Sequence, residues 1–109
     1  MDAEARSAAA QFDEIVEELA PQGVLPGALF GARSLTIDGT AFACLKGDQL
    51  AVRLGADSVA YAEALDLDGA GMFDPSGKGR PFKDWVAVPH DHVAEWSRLA
   101  AAGLGLVPR

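Results

Sequence analysis

The chain has 109 residues, enough for one domain with its own hydrophobic core and no need of metal or disulfide support. Half of it is hydrophobic by count, but 21 residues are alanine, so the core has to be built from a short list of Leu, Val, Ile, Phe and Trp. Sixteen acidic against nine basic residues give a net charge of −7, which argues against a general nucleic-acid binder that works by neutralising phosphates.

A single cysteine, Cys44, closes no disulfide within the chain. The opening Met1-Asp2-Ala3-Glu4 is acidic where a secretory signal is basic. The uncharged run Ala20–Ala32 holds 13 residues with Pro21 and Pro26 inside it, against the ~20 apolar residues that span a bilayer. These features predict a cytoplasmic protein with no membrane segment.

In chain order, residues 2–20 predict one amphipathic helix. Phe12, Ile15, Val16 and Leu19 follow a 3.6 period and Asp13, Glu14, Glu17 and Glu18 lie opposite. Pro21-Gln22-Gly23 ends it. A meander of three strands follows, over residues 29–37, 40–45 and 49–54, with Asp38-Gly39 as a hairpin turn and Lys46-Gly47-Asp48 as the next. Asp57 is suited to cap a second helix over 58–65. A short strand over 71–73 leads into Asp74-Pro75-Ser76-Gly77-Lys78-Gly79-Arg80-Pro81, whose composition is that of a loop. A strand over 82–88 and a helix over 91–103, with Val93, Trp96, Leu99 and Ala100 inward, complete the chain. The predicted fold is therefore α+β: a two-layer sandwich with a largely antiparallel sheet of about five strands and three flanking helices.

Charge is segmented along this layout. Residues 1–20 carry six acids and one base and residues 57–74 five acids and none, whereas Lys78, Arg80 and Lys83 cluster in and after the long loop. That loop is the one candidate anion-attracting patch.

The candidate chemistry is sparse. His90-Asp91-His92 has the residue types of a metal site, but positions i and i+2 do not point the same way from a helix, and Asp91 is explained by a helix start. Gly77-Lys78-Gly79-Arg80 suggests a phosphate cradle but fails as a Walker loop, with Met72 where the first glycine belongs and Gly79 in place of Ser or Thr. Cys44 reads as a small buried hydrophobe. Ser34, Ser58 and Ser76 lack a nucleophile-elbow context, and Trp85 and Trp96 read as core or interface anchors. No catalytic, cofactor or metal residue is assigned. Lys78, Arg80, Lys83 and His90 are the candidate contacts for a partner or an anion.

The series Phe30-Gly31, Leu35, Ile37, Gly39, Phe42-Ala43, Leu50, Val52-Arg53, Phe73, Gly79-Arg80-Pro81, Trp85-Val86, Val88-Pro89 and Trp96 resembles the N-terminal domain of the bacterial competence regulator TfoX, also called Sxy. The resemblance runs from about Phe12 to Leu104. It implies an α+β domain similar to the YjbR-like proteins, and supplies no site residues. Full-length TfoX proteins carry a C-terminal domain that has no counterpart in these 109 residues, so a competence role does not carry over. The expectation is a non-enzymatic module that docks to another protein, with an accessory role in transcription. It is expected to hold no cofactor or metal, to bind DNA weakly if at all, and to be a monomer or weak homodimer. The alternative is a small-molecule or anion binder, or an enzyme, with a pocket near the 74–83 loop.

Overall fold

Residues 7–79 and 81–108 are described in a computed structural model. Residues 2–6 of the first predicted helix and the candidate contact Arg80 lie outside the described residues.

The first helix, α1, spans Ala8–Leu19. Its N-cap is Ser7, whose Oγ accepts a hydrogen bond from the Ala10 amide at 3.1 Å and so satisfies one of the free donors of the first turn. Phe12, Ile15 and Leu19 are its buried stripe. Strands β1 (Leu25–Leu29), β2 (Ala32–Ile37), β3 (Thr40–Lys46) and β4 (Gln49–Arg53) follow as successive hairpins. The Asp38-Gly39 turn forms as expected, with positive φ at both residues (50° and 82°), the signature of a type I′ turn.

The segment 29–37, expected as one strand, is instead broken at Phe30-Gly31 into the end of β1, a turn and β2. Both turn residues have positive φ (55° and 72°), so this is a second left-handed turn with phenylalanine where Asn or Asp is usual. Phenylalanine carries no turn signal, and the sheet therefore has six strands rather than five.

Helix α2 spans Val59–Leu65, capped by Ser58 rather than by Asp57: the Ser58 Oγ accepts from the Tyr61 amide at 3.0 Å and donates to the Leu54 carbonyl. Strand β5 (Gly71–Phe73), the 74–79 loop and strand β6 (Phe82–Pro89) come next. The segment expected as a helix from 91 begins as a 3₁₀ turn over His90–Glu95, and α3 runs Trp96–Gly105.

All pairings are antiparallel, in the order β1-β2-β3-β4-β6-β5. Strand β6 is interior, because β5 pairs outside it. The edges are β1 and β5.

One face of this sheet carries Leu35, Ile37, Phe42, Ala43, Leu50, Val52, Leu54, Val86 and Val88, packed against the apolar sides of all three helices. Leu35 pairs with Ala43 and Thr36 with Ala41, which leaves Phe42 as an extra residue in a β-bulge. The bulge lets Phe42 and Ala43 both enter this core. Helix α3 approaches closely at Gly103, where a Cβ would lie 2.6 Å from Val52 Cγ1. Arg33 stacks on Phe12, with its guanidinium carbon 4.7 Å from the ring centroid, and pairs with Asp13, tying α1 to β2.

The other face is built differently. One small residue from each strand lines up in register across the whole sheet: Gly27, Ser34, Cys44, Ala51, Ala87 and Gly71. With no bulk along this row the sheet can curl, and a twist of about 20–25° per strand pair accumulates to roughly 100° or more over five pairings.

Candidate functional site

The curl brings opposite ends of the sheet together. Edge strands of a flat six-stranded sheet would lie roughly 24 Å apart. Here Phe30, in the β1–β2 turn, has its ring 6.1 Å from Phe73 at the end of β5 and 4.9 Å from Phe82 at the start of β6, the latter edge-to-face. Trp85 joins them, 5.9 Å from Phe73 and 6.4 Å from Phe82. These four rings close over the helix-free face, so that Cys44, Ala51, Phe73, Trp85 and Ala87 are buried although no helix covers them.

Beta-6 reaches this position through an irregularity. Met72 pairs with Val86 but Phe73 pairs with Phe82, so Lys83, Asp84 and Trp85 bow out of the β5 ladder. Asp84 anchors the bow: its carbonyl accepts from the Leu54 and Gly55 amides at 2.9 and 3.1 Å, and its carboxylate from the Ala56 amide at 2.9 Å.

Closure is incomplete and leaves a cleft of two adjoining chambers, about 500 Å³ and 350 Å³. Lys46, Pro75 and Ser76 line both. The larger chamber is floored by Ala87 and Phe73 and flanked by Gln49 and Met72; the smaller adds the rings of Phe30 and Phe82. The Lys46 ammonium donates to the Phe30 carbonyl at 3.3 Å and has no carboxylate within ion-pair distance among the described residues.

The roof of the cleft is the 74–79 loop, and Asp74 organises it. One carboxylate oxygen accepts from the Ser76 hydroxyl and the Gly77 amide, both at 3.1 Å, and the other accepts from the Gly79 amide at 2.9 Å. The Lys78 amide is taken up by Ser76 Oγ at 3.2 Å. The amides that a phosphate cradle would present are thus occupied by the loop's own oxygens, and the glycine-lysine-glycine segment is a self-capped turn.

Of the candidate contacts, Lys78 lies on this loop and Lys83 on the strand after it, both exposed. His90 sits at the far end of β6, on the order of 20 Å along the strand from Lys83. Its ring meets Trp96 edge-to-face at 6.0 Å. His92 Nε2 lies 2.8 Å from the Asp68 carbonyl, so the two imidazoles serve separate contacts. Among the described residues no three metal-ligating side chains come together.

Burial pushes the Cys44 thiol up to about 11, opposed by the nearby charge of Lys46, so the thiol stays protonated at neutral pH and is a poor nucleophile. Ser34 is fully buried beside Gly27, far from the chain's histidines in the register of the sheet. The residues that line the cleft and were not singled out from sequence are Lys46, Gln49 and Phe30; the Phe30-Gly31 pair was the one local signal, and it lacks the usual turn chemistry.

No family model matches the chain, and neither a search of curated proteins nor one of solved structures finds a significant match. No helix among the described residues is long and apolar enough to cross a membrane.

Proposed function

We propose that this chain is a non-enzymatic protein-docking module of the TfoX N-terminal-domain type, accessory to transcription, whose working surface is the rim of the helix-free face. The observation that carries this reading is the grouping of exposed apolar and cationic side chains there. Phe30 and Phe82 are 40% and 37% exposed; Lys78 lies on the adjoining loop and Lys83 follows Phe82 in β6, both exposed. Apolar anchors within a cationic rim suit a protein segment that is acidic and carries apolar side chains. The acids of α1 and α2 belong to the opposite layer, so that share of the negative charge lies away from this rim.

The unreactive thiol and the separation of the two histidines support a binding role over a catalytic one. Lys78 and Lys83, with Arg80 near them in the sequence, fall short of the number of cations that phosphate-driven DNA binding usually needs.

Cross-linked capture from native lysate, run side by side with wild type and a Lys78→Glu/Lys83→Glu variant, tests the reading. The expected result is a specific partner with acidic segments held by the wild type and lost by the variant, with unchanged thermal unfolding. Identical capture by both proteins, or turnover of a metabolite by the purified chain, would overturn it.

A further inference from the structure

We infer that the cleft beneath the 74–79 loop is a binding site for a small amphiphilic monocarboxylate, its anionic end paired with Lys46 and its apolar body seated between Phe30, Pro75 and Phe82. This goes beyond the docking reading: it shares Phe30 and Phe82 with that surface but takes its charge partner from Lys46 and not from the cations on the rim.

Four features converge on this ligand class. The chambers, about 500 and 350 Å³, have the size of small-molecule sites, which run to roughly 300–1,000 Å³. Lys46 stands at their junction with one of its three donors used, on the Phe30 carbonyl, and with no ion-pair partner among the described residues. The smaller chamber is walled by two aromatic rings and a proline, which suits an apolar body about the size of a phenyl ring. Asp74 also lines the larger chamber, so a second negative charge on the ligand would meet a carboxylate already satisfied by its own loop. Among the described lining residues Lys46 is the one cation, so a single negative charge finds a partner and a second finds none, which favours a monocarboxylate over a dicarboxylate or a phosphate.

The backbone adds an independent pointer. Phe30 holds a left-handed conformation at φ 55°, where Asn or Gly would sit more easily. The position keeps a ring there despite that strain.

The test titrates 3-phenylpropionate, 3-phenylpropan-1-ol and propionate separately into the full chain by calorimetry. Saturable binding of 3-phenylpropionate is expected, with the neutral alcohol weaker by up to about fivefold, since Lys46 is exposed, and the short acid weaker as well. Lys46→Gln should weaken 3-phenylpropionate to the level of the alcohol, Lys46→Arg should retain it, and the neutral pair Lys78→Gln/Lys83→Gln should weaken it less than Lys46→Gln does. Equal binding of acid and alcohol, wild-type affinity in Lys46→Gln, or no saturable binding at millimolar concentration would each overturn the inference. The last result, with capture of a partner still abolished by the rim variant, would remove this ligand while leaving the docking role in place.

Discussion

The two faces of the same sheet solve the burial problem in opposite ways. Against the helices the strands present Leu, Val and Phe, and three apolar helix faces cover them. On the other face they present a row of glycine, serine, cysteine and alanine, and cover it by curling until aromatic rings from opposite edges touch. Bulk on one face and its absence on the other is what sets the direction of the curl. A helix-packed face gains stability from every buried methylene, whereas a face closed by its own rim keeps a cleft with a lysine at its centre. The proposed binding thus falls on the side opposite the helix-packed core, and substitutions can separate it from stability.

The largest difference should come from the two tryptophans. Trp96 is fully buried among the helices, and Trp96→Ala should cost about 3–5 kcal/mol in chemical denaturation. Trp85 packs in the smaller cluster of the helix-free face, against the half-exposed ring of Phe82, so the space left by Trp85→Ala can partly collapse, and the cost should fall to about 3 kcal/mol or below. Equal costs would mean that the closed face is as firmly packed as the helical one.

Next comes Gly103→Ala. In an exposed helix this change would stabilise by about 1 kcal/mol, but here the new methyl would meet Val52 at 2.6 Å and the Arg53 carbonyl at 3.3 Å. A net loss of about 1–3 kcal/mol is expected, read as a lowered unfolding midpoint. Neutral or raised stability would show that α3 sits further from the sheet than described.

On the closed face, Phe30→Asn should change stability by no more than about 1 kcal/mol, since relief of the left-handed strain offsets lost ring contacts. The same variant should lose most binding in the cleft. A loss of several kcal/mol would make Phe30 a core residue instead.

The smallest effect is on pH dependence. The folded state holds the Cys44 proton more tightly than the unfolded chain, so the contribution of this group is fully present below the unfolded thiol's value of ~8.5. It is lost as pH rises through about 11. Wild type should therefore lose stability faster than Cys44→Ala over that alkaline window, with parallel curves below it. Parallel curves throughout would mean that the thiol is not held protonated.

Much of the helix-facing layer was legible in the sequence because periodicity reports directly on burial: Phe12, Ile15, Leu19, Trp96, Leu99 and Ala100 are inward where the 3.6 period places them. The Asp38-Gly39 hairpin was legible for a reason just as local. The closed face was not, because its cleft depends on strand order and register, which place Lys46 near residues 75–77 and Phe30 near Phe82 across the width of the sheet. No local pattern carries that information. The cations Lys78 and Lys83 drew attention to the loop that lies over the cleft, but the residues beneath it come from strands distant in the chain.

The most direct test of this division is an amide ¹H–¹⁵N chemical-shift map of the full chain titrated with 3-phenylpropionate. The account predicts perturbations at Phe30, Lys46, Gln49, Ser76, Gly77 and Ala87, with residues 8–19 and 96–105 unmoved. Perturbations concentrated on those helices, with the cleft amides silent, would contradict it.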